Sequence, residues 1–375
     1  MKYYIIAGEA SGDLHGSGLI RGLRNADPSA EIRCWGGDLM QAEGATLVKH
    51  YRELAFMGFA EVILNVRTIF RNIAFCKKDI AAFKPDAIIF IDYPGFNMRI
   101  AKWARQNGYA THYYISPQIW AWKENRIKDI RRDVDHMYVI LPFELDYYRD
   151  KHNYKVDFVG HPLIDAINRR QTPDIESFRK THGLDQRPII ALLPGSRKQE
   201  ISKMLREMLA VMPRFRGYQF VIAGAPGQDA AFYTPFLSDS GARLIHNQTY
   251  DLLSVAQAAL VTSGTATLET ALFKVPQVVL YKGSWASYQI AKRIISLKYI
   301  SLVNLIMDKP VVTELIQGDC QPDKIASELS KLFDPAFREP MMREYALLQT
   351  KLGGAGAGQK TADLIYNRTV KKASL

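Results

Sequence analysis

Cysteine is scarce in this chain: three in 375 residues, Cys34, Cys76 and Cys320, far apart in sequence. That spacing excludes a disulfide framework and a thiolate metal site built on close cysteine pairs. Long apolar runs are missing as well. Nothing approaches the ~20 residues that a membrane-crossing helix needs, and residues 2–8 read as a first strand rather than a signal peptide. A cytosolic protein is the expectation. No repeat of short period is present. Acidic residues are in deficit, 38 against 49 Lys and Arg, and the net charge of +11 calls for an anionic partner. Nucleic acid, an anionic lipid surface and phosphorylated small molecules all qualify, and charge alone does not choose among them. With 47% hydrophobic residues, a chain of this length has apolar material for two domains.

What is present is organised around residues 189–201. Ile189-Ile190-Ala191-Leu192-Leu193 reads as a buried strand, Pro194-Gly195-Ser196 breaks it, and helical spacing resumes at Ile201, Met204, Leu205 and Met208. Such a turn leaves backbone N–H groups and the positive end of a helix dipole at the sheet edge, where phosphate is well received, and Arg197 adds a fork of donors. The same residues also fit a plain helix start in which Arg197 pairs with Glu200.

In the first half, strand one runs into Gly8-Glu9-Ala10-Ser11-Gly12-Asp13-Leu14-His15-Gly16. The glycine spacing is not the dinucleotide fingerprint, and the second strand closes in Gly36-Gly37 where a ribose-binding acid would stand. Glu9 and Asp13 would repel a pyrophosphate. The loop suits a neutral sugar or a hydroxyl that must lose a proton; alternatively Ser11 caps the helix and Asp13 favours its first turn. Residues 56–80 carry Phe59, Ile63, Val66, Phe70 and Ile73 at helical spacing, with Arg67, Arg71 and Lys78 on a common face. This is either a helix for an anionic bilayer or an acyl chain, or a sheet-packed helix with a solvated charged edge. Strand 86–92 places Asp92 at its carboxyl end, where open α/β sheets hold their ligands, so Asp92 is a candidate general base or a carboxylate that orders its turn. Trp120 and Trp122 beside Lys123 carry a ligand or anchor a loop. Asp133-Val134-Asp135 precedes its strand and is rejected as a metal site.

The second half alternates strand and helix: strands over 219–223, 243–245, 259–261 and 277–281, with helices between. That pattern means a second parallel sheet covered on both faces. Ser263, Gly264 and Thr265 form another strand–helix junction ready for an anion. Glu269 lies one residue past the capping-box position for Thr265, so its carboxylate is open to the two hydroxyls of a ribose. Residues 299–305, with Asn304, read as a loop.

Six motifs run in order through nearly the whole chain: Gly-Glu-Ala-Ser-Gly-Asp at 8–13, Ser-Pro-Gln-Ile-Trp-Ala-Trp at 116–122, Gly-His-Pro at 160–162, Leu-Pro-Gly-Ser-Arg at 193–197, Ser-Gly-Thr-Ala-Thr-Leu-Glu at 263–269 and Val-Asn-Leu at 303–305. Together they closely resemble the lipid-A-disaccharide synthase family. The resemblance implies an α/β protein of GT-B fold, two Rossmann-like domains whose parallel sheets face a central cleft: 1–165 for acceptor and membrane contact, 166–345 for the UDP-sugar, and helices 346–375 packing back on the first domain. It implies transfer of 2,3-diacylglucosamine from UDP to the 6-hydroxyl of 2,3-diacylglucosamine 1-phosphate with inversion, at the inner membrane surface, with no metal, no other cofactor and no nucleic acid; oligomeric state is left open.

By the same match Gly195, Ser196, Arg197 and the loop Ser263, Gly264, Thr265 hold the diphosphate, Glu269 holds the ribose, and Asn304 lies in the cleft. The base comes from the first domain: Asp92 first, with Asp13 and His15 behind it. Many family members read Asp-x-Pro-Asp-Phe-Asn where this chain has Asp92-Tyr93-Pro94-Gly95-Phe96-Asn97, so a second acid is missing. The competing functions are a UDP-sugar epimerase of the same fold and a non-catalytic polyanion-binding protein.

Overall fold

Runs of branched and aromatic residues become strands buried on both faces, as parallel sheets require. The computed structural model describes residues 1–54, 66–238, 240–283 and 298–373. In it the chain divides into two units, Met1–Arg169 with Leu352–Leu375, and Arg170–Lys351.

The first unit holds seven parallel strands: β1 (Lys2–Ala7), β2 (Glu31–Gly36), β3 (Thr46–His50), β4 (Ala87–Ile91), β5 (Ala110–Tyr114), β6 (His136–Val139) and β7 (Asp157–Phe158). Their order is β3-β2-β1-β4-β5-β6-β7, so the winding reverses between β1 and β4, with Ala7 opposite Ile91. Tyr3 to Ala7 and all of β4 are buried. The helix Ala10–Ala26 packs on the last helix, Ala357–Ala373, in the same unit.

The helix Val66–Phe83 turns Ile73, Cys76 and Ile80 to the core, and Asp79 accepts from the Tyr4 hydroxyl at 2.7 Å. Phe70 and Phe75 stay exposed at 60% and 47%, beside exposed Arg67, Arg71 and Lys78. The other half of the amphipathic stretch, including Phe59 and Ile63, lies outside the described residues.

The second unit repeats the plan with β8 (Ile189–Leu193), β9 (Gln219–Gly224), β10 (Arg243–His246), β11 (Ala256–Thr262), β12 (Gln277–Tyr281) and β13 (Thr313–Ile316), ordered β10-β9-β8-β11-β12-β13. Here the reversal falls between β8 and β11, with Leu193 opposite Val261. Two features differ from expectation. Strands β3 and β13 were not anticipated, and residues 302–307 form a short helix, Leu302–Met307, capped by Ser301, whose hydroxyl accepts from the Asn304 N–H at 3.2 Å. Among the described residues no helix is long and apolar enough to cross a membrane.

Candidate active site

Ligands of open α/β sheets gather where the strand order reverses, at the carboxyl ends of the two strands that flank the reversal. In the second unit those ends are the turns after β8 and β11, and pairing of the strands makes the turns neighbours. Gly195 has φ +106, a conformation that favours glycine, and it aims the chain into the helix Lys198–Leu209, whose Ile201, Met204, Leu205 and Met208 are buried. The Arg197–Glu200 pair of the plain helix start does not form. Glu200 instead reaches back to the Ser196 N–H at 3.0 Å, and among the described residues the exposed Arg197 guanidinium has no hydrogen-bond or ion-pair partner.

After β11, the Ser263 hydroxyl donates to the Ile300 carbonyl at 2.8 Å and exposed Gly264 opens the helix Thr265–Leu272. The first N–H groups of a helix have no partner within it, so this end offers donors. Glu269, a turn further on, accepts from the Tyr250 hydroxyl at 2.8 Å, and burial raises its pKa. Among the described residues its second oxygen has no hydrogen-bond donor. Asn304 departs from expectation: its Nδ2 donates to the Val312 carbonyl and Glu314 Oε1, both at 2.9 Å, and its Oδ1 accepts from the N–H groups of Val311 and Val312 at 2.8 and 2.9 Å. A primary amide has two donors and two lone pairs, so this one is filled by the protein. It frames the segment that leads into β13.

In the first unit the reversal lies between the turns after β1 and β4. Asp92 and Tyr93 both adopt left-handed backbone, φ 44 and 49, which is strained for residues with a side chain. The strain is held in place from several sides. Asn97, fully buried, donates to the Asp92 carbonyl at 2.8 Å and to the Ile91 and Ile6 carbonyls at 3.3 Å, and the Tyr113 hydroxyl donates to the Asp92 carbonyl at 2.6 Å. The Tyr93 ring lies over Gly8, where a Cβ would sit 2.3 Å from it. The Asp92 carboxyl is half-buried and its pKa is pushed up to about 6, by burial first and by the nearby charge of Glu9 second, while the Tyr93 N–H works the other way. Gly95, the position of the missing acid, is exposed with open space around it.

The other two base candidates are built differently. Asp13 is buried and accepts from the N–H groups of Gly37, Met40 and Leu39 at 2.8, 3.0 and 3.1 Å, closing the start of the helix Asp38–Ala42. Ser11 lies inside its own helix, whose N-cap is Glu9, rather than capping it. His15 packs edge-on against His161, their centroids 6.4 Å apart, and burial pushes its pKa down to about 4, so the ring is neutral at physiological pH and a weak base.

Of the remaining motifs, Trp120 donates to buried Glu144 at 3.1 Å and anchors its loop, whereas Trp122 is exposed with Lys123 and Arg126 over its ring. Asp133 is held by Arg132, and Asp135 by Arg105 and the Thr111 N–H. The signals not read from sequence are Tyr250 behind Glu269, Asn97 behind Asp92, and the true partner of Glu200.

The family model described as Lipid-A-disaccharide synthetase matches residues 3–338. A lipid-A-disaccharide synthase of Geobacter sulfurreducens is 38% identical, covering 99% of this chain and 98% of the relative. That of Syntrophus aciditrophicus is 40% identical over 96% and 95%. Among solved structures, UDP-GlcNAc 2-epimerase from Neisseria meningitidis bound to UDP-GlcNAc aligns with a TM-score of 0.66 at 13% identity, over 99% of this chain and 100% of that one. The kitacinnamycin glycotransferase aligns at 0.63 and 13%, over 98% of each chain. At such identities the structural likeness shows the fold, which is GT-B.

Proposed function

The chain belongs to the lipid-A-disaccharide synthase family, glycosyltransferases of lipid A biosynthesis, and we propose that it transfers 2,3-diacylglucosamine from UDP to the 6-hydroxyl of 2,3-diacylglucosamine 1-phosphate, with inversion and without a metal. The observation that carries this reading is the adjacency of two turns, residues 194–197 and 263–265, where β8 and β11 meet and where the Arg197 guanidinium and the starts of two helices supply donors. In the proposed step the bond from the sugar anomeric carbon to the UDP oxygen breaks while a bond to the acceptor 6-oxygen forms. Charge building on the departing diphosphate is met by oriented N–H groups and the Arg197 guanidinium, whose stabilisation is strongest where water is excluded. Glu269 accepts from the ribose hydroxyls.

Asp92 takes the proton of the 6-hydroxyl. At a pKa of about 6 the carboxylate form prevails at pH 7, and the group is still basic enough to pull on the proton. Asp13 and His15 fall behind it, one because its oxygens are engaged, the other because it is a weak base. Exposed Phe70 and Phe75 with Arg67, Arg71 and Lys78 are our candidates for contact with an anionic membrane surface, because aromatic and cationic side chains together suit the headgroup region.

The test is to supply acylated UDP-glucosamine and the acylated sugar phosphate, with and without a chelator, and to follow UDP and disaccharide by mass spectrometry and the anomeric configuration by NMR. Equal formation of a β-linked product in both samples is expected. No product, an α-linked product, or product that requires added divalent cation overturns the reading.

A further inference from the structure

We propose that Glu200 is an internal competitor for the diphosphate site and sets how tightly UDP is held after transfer. The inference rests on the nucleotide reading above and adds a residue to it. In a capping box the acid at the third helical position bonds the N-cap residue's own N–H. Here the N-cap is Arg197, and Glu200 passes it to reach the N–H of Ser196, one residue earlier, at 3.0 Å. To do so its carboxylate crosses Gly195: a side chain there would put Cβ 2.2 Å from Oε2 and 2.6 Å from Cδ. The carboxylate therefore fills the room that the glycine leaves open and engages a donor that a phosphate oxygen would use. It is itself an anion, so the turn is shown holding negative charge, supplied from within the chain.

A diphosphate and this carboxylate cannot occupy that space together. UDP must displace Glu200, and its apparent dissociation constant is raised by the reciprocal of the fraction of molecules with the side chain swung away. After transfer, UDP that has left finds the turn refilled by the carboxylate and rebinds correspondingly more weakly. The exposed Arg197, not tied to Glu200, stays available to the nucleotide throughout.

The experiment measures UDP binding by calorimetry, and the association and dissociation rates of a fluorescent uridine nucleotide, in the full chain and in Glu200→Gln and Glu200→Ala. Glu176→Gln removes an exposed acid from the first turn of another helix and controls for net charge. The competitor predicts binding about tenfold tighter in both Glu200 variants, the fold-change for a turn that is open about a tenth of the time, with most of it in faster association and none in the control. Thermal melts identify a variant that fails to fold; Glu200→Gln keeps shape and length and carries the test if Glu200→Ala does not fold. Equal or weaker UDP binding in folded Glu200 variants overturns the competitor, because a carboxylate that merely braces the helix start would cost affinity when removed. Absence of UDP binding in the unmodified chain overturns the nucleotide reading itself.

Discussion

The two units share one plan and carry opposite charge at the place the plan reserves for ligands. Each winds its strands outward from a central pair, β1 and β4 in one, β8 and β11 in the other. Each ends that pair in two adjacent turns. In the first unit these turns present Glu9 and a half-buried Asp92 whose pKa is pushed up to about 6. In the second they present Arg197, Gly264 and the starts of two helices. The difference teaches that topology supplies the location and the turn residues supply the chemistry: in the proposed reaction, a basic carboxylate where the acceptor loses its proton and donors where the diphosphate gathers charge.

The comparison breaks first at Asp92. Replacing it by Asn keeps the shape of the turn, whose backbone bonds to Asn97 and Tyr113 do not involve the carboxyl, and is expected to lower kcat about a thousandfold. In the unmodified chain the rate should fall tenfold per pH unit below about 6, as the base takes up its proton. That limb disappears in the variant. A variant that keeps most of its activity moves the base elsewhere. Next is Arg197→Ala, expected to lower kcat about a hundredfold, as loss of a donor to developing charge does elsewhere. The pH limb set by Asp92 should be unchanged, which separates the roles of the two units in one pair of profiles.

These assignments were legible in sequence to different depths. Strands β9 to β12 stood out because buried apolar runs alternate with helical spacing. Strands β3 and β13, Thr-Leu-Val-Lys-His and Thr-Glu-Leu-Ile, lie at sheet edges with polar faces, and periodicity does not register them. Spacing offers Glu200 as an ion-pair partner for Arg197 in the plain helix start, because spacing rules see side chains, whereas its partner is a backbone N–H. Asp13 was read against its own helix, but the donors it serves are at Gly37, Leu39 and Met40 on another element, a long-range contact that local pattern does not encode. Asn304 belongs to the same class. The family resemblance implies that this amide lies in the cleft, while the fold uses it to order residues 311–314.

Asn304→Ala sharpens the contrast between the donor turns and the frame behind them. It strips partners from the buried Val312 N–H and carbonyl, from the half-buried Val311 N–H and from Glu314, so a loss of about 2–3 kcal/mol in unfolding free energy is expected by chemical denaturation. At temperatures where the variant is folded, KM for the UDP-sugar should stay within about threefold, since changes off the reacting groups leave binding largely intact. A large rise in KM with stability unchanged would return Asn304 to the ligand.

The smallest expected effect tests the position where this chain departs from its family. Gly95 is exposed with nothing near its missing Cβ, so Gly95→Asp has room and should fold. A second carboxylate three residues from Asp92 disfavours its ionisation, raising the Asp92 pKa by roughly half a unit, as exposed like charges do over short distances. The acid limb of the rate profile should then move to higher pH by that amount, with the plateau at pH 8 unchanged. The more informative outcome is the reverse. If Gly95→Asp lifts the plateau, or rescues Asp92→Asn, the added acid itself takes the proton, and the first unit's turn is a platform for a carboxylate at either position.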